Sequence, residues 1–318
     1  MEHNVTRPTE LLSNSIRLFK ANWKILSLIA ILPSAGSAIG QLMAMTHDIV
    51  PAIIGGLISL ASAVFSIAMV PSLVSAVHRI STEPGVVLTV NHQYKIGFTF
   101  FLSVLWIGIL NGLIFFGSFF LLVIPAIIIG VYGCMYVFTL VVDGKRGFAA
   151  LTESYSLVRG RWWKVLGRVC ILALVMVAVW LILGGLGFLL GLAFGIHVPI
   201  AHSSATAVTL PIGASVVTLI LNSIGIGFIL PLSILYTYGL YTSLKATRQA
   251  DVPTSGFKKW LIAFICVGIL AVIGGLITIP IVALSVARNN WDSNIAPKLQ
   301  QSMQGLHNGG GIDLPQPE

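Results

Sequence analysis

Charge is what this chain has least of. Of its 318 residues, 9% are Asp, Glu, Lys or Arg, where a soluble domain carries about a quarter. Its 10 acidic residues all fall in tails or in the connections between long apolar stretches. No carboxylate pair is therefore available inside a membrane for acid/base work or a proton relay. Cysteine is also scarce. Cys134, Cys170 and Cys266 lie inside apolar stretches with no CxxC or Cys/His spacing, which gives no disulfide framework and reads as buried free thiols. The net charge of +8 is not gathered into a basic run of about five or more, so it does not point to nucleic acid. No serine stands in a GxSxG elbow or beside an identifiable histidine partner, and neither HExxH nor a glycine-rich phosphate loop occurs. The expectation is a chain that is not an enzyme and holds no cofactor. The one histidine pair that suggests a metal, His197 and His202, sits in an uncharged loop without a nearby Cys, Asp or Glu, a poor ligand set. Residues 1–22 carry Glu2, Arg7, Glu10, Arg17 and Lys20 with no uninterrupted apolar core or small-residue cleavage site. No removable signal peptide is expected, and the first span itself directs insertion.

What the chain does have is apolar length. Hydrophobic residues make up 56% and mean hydropathy is +0.96, which predicts an all-α, polytopic transmembrane helix bundle. About seven spans can be laid out. The first two are 25–45, with Gly36 and Gly40 in a GxxxG pair that lets another helix approach, and 52–77, which ends at His78 and Arg79. Residues 80–96 form a polar connection with room for a short interfacial helix. From 97 to 142 no charge occurs for 46 positions. One helix of that length, at about 1.5 Å per residue, is more than twice the thickness of a hydrocarbon core of about 30 Å. This stretch is therefore a hairpin of two spans, turning between Gly117 and Pro125. The fifth span, 165–195, carries Gly187, Gly191 and Gly195 at four-residue steps, a flat face for a neighbour. Spans six and seven are 211–239 and 260–287. Residues 289–318 read as a polar, flexible tail, mobile beyond about 300, because Asn308 to Gly311 and Pro315 to Pro317 are turn and disorder signals.

Two amphipathic stretches are related. Shifting residues 11–23 by 139 positions onto 150–162 matches Leu12 with Leu151, Ser15 with Ser154, Leu18 with Leu157 and Trp23 with Trp162. Phe148, Leu151, Tyr155, Val158 and Trp162 recur at helical spacing, as do Leu12, Ile16, Phe19 and Trp23. Cations gather where each stretch enters a span. Lys20, Lys24, Arg159, Arg161 and Lys164, with Trp23 and Trp162, are the residues expected to meet lipid headgroups. The alternative is a plain juxtamembrane linker. The repeat divides the chain into 1–80 (interfacial helix plus two spans), the hairpin 97–142, the second repeat 146–248, the span 258–288 and the tail.

Lysines and arginines test this segmentation, since they collect on the cytoplasmic side. With the N-terminus inside, 16 of the 18 fall on one side and only Arg288 and Lys298 on the other. A six-span version would demote one segment, most plausibly the seventh. The expected location is a bacterial cytoplasmic (inner) membrane, with anionic lipid as partner. Protein partners and oligomeric state are left open.

The pattern S-x-x-L-F-K-A-N-W at 15–23 and S-x-x-L-V-R-G-R-W at 154–162 resembles the repeated motif of the glycerophosphoryl diester phosphodiesterase membrane domain. YciC-like (DUF975-like) uncharacterised bacterial membrane proteins are similar. The likeness extends to the Leu-x-x-Pro turn at Leu122 to Pro125 and to Tyr236, Tyr238 and Tyr241 at the end of the sixth span. It covers about residues 9–248. The chain has no room after the membrane domain for a catalytic barrel, so the resemblance implies a membrane module without phosphodiester hydrolysis. Inside the spans Gln41, Asn111 and Asn222 are the polar groups costliest to bury. They read first as interhelical hydrogen bonds, and prolines Pro33, Pro71, Pro231 and Pro280 as kinks. Three roles follow in order: a non-enzymatic organiser of lipid or partners, a transporter or channel for a neutral or lipid-like solute, and an enzyme. A solvated cavity lined by Asn111 and Asn222 marks the second. Asp143, Glu153, His78 and His92 in one cleft mark the third.

Overall fold

Apolar runs inside hydrocarbon must satisfy their own backbone hydrogen bonds, and the described residues of this chain do so with helices. A computed structural model describes residues 7–46, 48–83, 85–121, 123–193, 212–247 and 255–308, and contains no strand among them. Helix α1 (Pro8–Ala44) starts on a proline, whose missing N–H costs nothing in a first turn. It breaks at Asn22 (φ −127°, ψ 17°), whose side-chain amide donates to Leu18 O at 3.2 Å. The first amphipathic copy is thus the leading limb of α1, and the span follows the break. Next come α2 (Ile49–Thr82) and α3 (Val90–Thr99), the short helix expected in the polar connection. The uncharged stretch gives α4 (Phe101–Leu121), α5 (Val123–Gly133) and α6 (Tyr136–Val141). The second amphipathic copy is α7 (Phe148–Val158), followed by α8 (Trp162–Ala193), α9 (Ile212–Ala246) and α10 (Ser255–Asn290). A π-turn, Trp291–Ile295, leads into α11 (Ala296–Asn308).

Among the described residues six helices are long and apolar enough to cross a membrane, so this is a multi-pass membrane protein. Two expectations need correction. The segment that falls short is the fourth, not the seventh: Pro125–Val141 is a shorter apolar stretch, interrupted between α5 and α6 at Cys134 and Met135. Helix α4 ends at Leu121 and α5 begins at Val123, so the two helices meet inside the window expected for the turn, and residue 122 itself lies outside the described residues. The tail, in turn, is helical through Asn308. Lys298, Leu299, Gln300, Gln301 and Met303 are good helix formers that extend α10, and they outweigh the polar composition. Residues 309–318 lie outside the described residues, as do His197 and His202.

Close approach follows glycine. A Cβ on Gly40 would stand 2.6 Å from Gly55 O, and one on Gly36 would collide with Ser62 Oγ. The GxxxG pair therefore seats α1 against α2 as its spacing predicts. An unforeseen pair does the same for α4 and α10, where a Cβ on Gly117 would stand 2.7 Å from Gly268 N. The glycine face of α8 is less occupied: a Cβ on Gly187 would stand 3.3 Å from Leu221 Cδ1 of α9, while one on Gly184 or Gly185 would meet open space. Gly195 is outside the described residues.

Helix length decides where the core lies. With 34 residues α2 far exceeds the ~30 Å hydrocarbon core, and so do α1 and α9. Their surplus gathers at one end with α3, α6 and α7. There Leu26, Ile29, Leu73, Val77, Met135 and Leu240 are sealed from solvent. At that basic end Leu11 seats against Gly239 of α9. The far halves of α8 and α10 instead present Leu174, Leu181, Leu276 and Leu284 outward, as lipid-facing surfaces do.

Candidate lipid collar and intramembrane cleft

Within one or two residues of the same place in the two copies, the helix breaks before the span. In the first the break is Asn22. In the second, Arg159 turns extended (φ −55°, ψ 135°) and Gly160 takes φ 78°, a left-handed conformation that favours glycine. By the 139-residue shift Gly160 pairs with Ala21, so the equivalent bends are built from different backbone chemistry. The matched serines also differ. Ser15 Oγ donates to Leu11 O at 2.7 Å within its own helix. Ser154 Oγ donates to Tyr132 O at 2.6 Å and accepts Met135 N–H at 3.2 Å. That serine clasps the interruption between α5 and α6, a role invisible in the motif.

The expected headgroup residues separate. Lys20, Lys24, Arg159 and Lys164 are exposed, and Trp23, half exposed, stacks on Phe228 of α9 with centroids 6.5 Å apart. Beside them a cleft of about 580 Å³ opens at the first break, with Asn14, Arg17, Asn22, Ser81 and Glu83 in its wall. Arg161 does something else. Its guanidinium donates to both the hydroxyl and the carbonyl oxygen of Thr247, just past α9, satisfying a helix-end carbonyl that would otherwise lack a partner. Trp162 is half-buried and its Nε1 donates to Ile128 O at 3.4 Å. The neighbouring Trp163 is the exposed ring, at 77%, and the motif alignment passed it over.

Asp143 and His78 stand at the two ends of a tyrosine pair. Tyr241 Oη donates to Asp143 Oδ2 at 2.7 Å, and Lys245 forms an ion pair with the other oxygen. His78 Nδ1 meets Tyr238 Oη at 2.8 Å, and the two tyrosine rings are 6.2 Å apart. Pro71 precedes His78 by seven residues in α2 and Pro231 precedes Tyr238 by seven in α9, and the two helices meet through this pair. His92 is exposed on α3. Glu153, on α7, lines none of the described clefts. Among the described residues no three His, Cys, Asp or Glu side chains gather as for a metal ion.

Tyr94 of α3 was not anticipated. Pro33 has no N–H to give Ile29 O, four residues earlier, and Tyr94 Oη donates to that carbonyl at 2.7 Å. Burial pushes the Tyr94 phenol above its ordinary pKa. The adjacent Gln93 is wholly enclosed, with neither amide atom paired.

Asn111 and Asn222 are not brought together. Asn111 lines a narrow crevice with Gly133 and Leu261, too small for more than about one water. Asn222 lines a cleft of about 240 Å³ between α1, α2 and α9, shared with Ser34, Ser37, Gln41, Ser66 and Ser223. No protein-family model, curated protein or solved structure matches the chain.

Proposed function

We propose that this is a non-enzymatic protein of a bacterial cytoplasmic membrane, N-terminus inside, that organises anionic lipid or a partner at its basic end. The observation that carries the reading is the cleft at the α1 break, with Arg17 in its wall and Lys20, Trp23 and Lys24 exposed beside it. Juxtamembrane cations near an anionic surface each contribute about 1 kcal/mol, weakened by salt, while the indole ring sets depth. An apolar groove of about 350 Å³ between α2, α4 and α6, lined by Ile67, Val104 and Ile109, offers acyl chains a matching surface. The resemblance to the phosphodiesterase membrane domain favours the same kind of module, without hydrolysis.

Native mass spectrometry tests the reading on protein released from membranes rich in phosphatidylglycerol. Changing Arg17, Lys20 and Lys24 to Gln is expected to lower retained phosphatidylglycerol and cardiolipin while insertion stays intact. Unchanged retention would reduce the amphipathic limb to a connector. Hydrolysis of a glycerophosphodiester by the purified protein, abolished by Asp143→Asn, would overturn the non-enzymatic part. A second reading, a transporter or channel for a neutral or lipid-like solute, is favoured by one observation, the polar cleft between α1, α2 and α9.

A further inference from the structure

The cleft beside Asn222 is polar where the bundle is otherwise apolar. Its floor lies at Ala30, Met69 and Ile226. Below that level Leu26, Ile29, Leu73 and Val74 are each at most 1% exposed, so the basic end is sealed. From the floor it rises along α1 to Gln41, three residues from the end of that helix. Among the described residues no charged side chain contributes to its wall, which gives an ion nothing there to neutralise it.

The hydrogen-bonding character of the wall follows from bonds already made. Ser34 Oγ donates to Ile31 O at 2.8 Å and Ser66 Oγ to Ser62 O at 2.9 Å. Gln41 Nε2 donates to Ser37 Oγ at 3.2 Å. Those protons are spent within α1 and α2, and the oxygens keep lone pairs for a visitor. Asn222 of α9 brings an amide with both donors and an acceptor to the opposite wall. Gln41 and Asn222 are also exposed. Amides are costly to leave facing hydrocarbon without partners, so this wall suits water or a polar molecule better than a lipid chain. Between the polar groups stand Pro33, Ala38 and Leu219, apolar surface at the scale of a C–H face.

We propose that this cleft is a binding site for a small neutral polyol, whose hydroxyls both donate to serine and glutamine oxygens and accept from Asn222. Its carbon chain lies against Pro33 and Ala38. At about 240 Å³ the space is that of several waters, each occupying about 30 Å³ in the liquid, which fits a chain of a few hydroxymethylene units. This deepens the solute reading above, and it is tested by binding alone so that site and transport can fail separately.

The experiment places Ser37→Cys in the full chain with Cys134, Cys170 and Cys266 replaced by Ala, in nanodiscs of phosphatidylcholine only. The zwitterionic lipid makes the result independent of the anionic-lipid proposal. A small water-soluble methanethiosulfonate is expected to label the new thiol. Erythritol or xylitol at ten times its dissociation constant is expected to slow labelling about tenfold, in proportion to the empty fraction. Asn222→Leu is expected to abolish protection without slowing unprotected labelling. Ser34→Cys repeats the measurement should Ser37→Cys not fold. Failure of both thiols to label, while a Ser302→Cys control reacts, would overturn the site by showing a dry or lipid-filled cleft. Labelling that no polyol slows, or that urea or betaine slows equally, would overturn the polyol assignment. Protection followed by no xylitol entry into proteoliposomes would keep the site and remove transport.

Discussion

At the scale of single residues, the bonds that matter compensate for something the chain has given up. Pro33 leaves the Ile29 carbonyl without its helical donor, and Tyr94 Oη fills that place from another helix. Tyr94→Phe is therefore expected to destabilise the fold by about 1–2 kcal/mol, the scale of a membrane-protein or buried hydrogen bond. The cost should shrink in a Pro33→Ala background, where residue 33 regains an N–H for Ile29. Unfolding of the four proteins in mixed micelles measures the cycle, and equal costs in both backgrounds would remove the link to Pro33. The sign of the pH effect follows from the raised phenol pKa. The neutral form is the one the folded state favours, so its contribution is complete below the ordinary tyrosine pKa of about 10. It is lost as pH rises through the raised folded value, and Tyr94→Phe should blunt that alkaline loss. Arg161 is the second such case. Because it holds Thr247, Arg161→Gln is expected to lower thermal stability with little effect on lipid retention. The exposed Arg159 is expected to behave the opposite way under Arg159→Gln, and a heating series alongside native mass spectrometry separates the two.

At the scale of elements, the repeat explains both what sequence could reveal and what it could not. Helical periodicity found both amphipathic copies but placed their faces unequally: in the second, Leu151 and Val158 are buried as the spacing predicts, whereas in the first Ile16 and Trp23 are exposed and the buried side chains are Leu11 and Ser15, one register away. Apolar length marked the spans, and the GxxxG pair marked the α1–α2 contact. The interruption at Cys134 and Met135 was hidden because no proline or charge stands there. It is held by Ser154 from a helix 19 residues away, a tertiary contact without a local signature. The α11 helix was missed because the turn signals at its far end and its polar composition were read ahead of the good helix formers before them. The cleft was half legible: Asn222 and Gln41 stood out as costly amides, but pairing Asn222 with Asn111 assumed a contact between spans that share no wall. The bends make a direct prediction. Gly160 sits at φ 78°, where a side chain costs roughly 1–2 kcal/mol. Gly160→Ala should lower the melting temperature, whereas the equivalent Ala21→Gly, in a helix that breaks only at Asn22, should cost no more than about 1 kcal/mol. Equal and negligible effects would mean that the second bend is not set by backbone conformation.

At the scale of the whole molecule, length and charge together constrain how the chain threads a bilayer. Among the described residues six helices have the length and hydropathy to cross, and α10, from Gly256 to Asn289, is among the most apolar. It is anchored to α4 near its start, through Gly268 against Gly117 and through the buried Leu261 and Phe264. Beyond that contact Leu270, Leu276, Ile279 and Leu284 are exposed, an apolar surface too continuous to stand in water. Only hydrocarbon or another chain satisfies it. In the orientation proposed above, with the N-terminus inside and the shorter Pro125–Val141 stretch taken as a further passage beside the six candidate spans, the chain would cross seven times. This leaves 16 of 18 basic residues on the cytoplasmic side, a bias that strongly determines orientation through short loops. Helix α11 then lies outside despite Arg288 and Lys298, two cations opposed by sixteen. In a cysteine-free chain, a thiol at Ser302 is expected to react with an impermeant maleimide in intact cells, while one at Asn4 reacts only after lysis. A protected Ser302 with a protected Asn4 would return the C-terminus to the cytoplasm. Either α10 or the broken stretch at Cys134 and Met135 would then dip into the membrane without crossing. A thiol placed at Gly144 distinguishes them, because it stays cytoplasmic only if the broken stretch completes its passage.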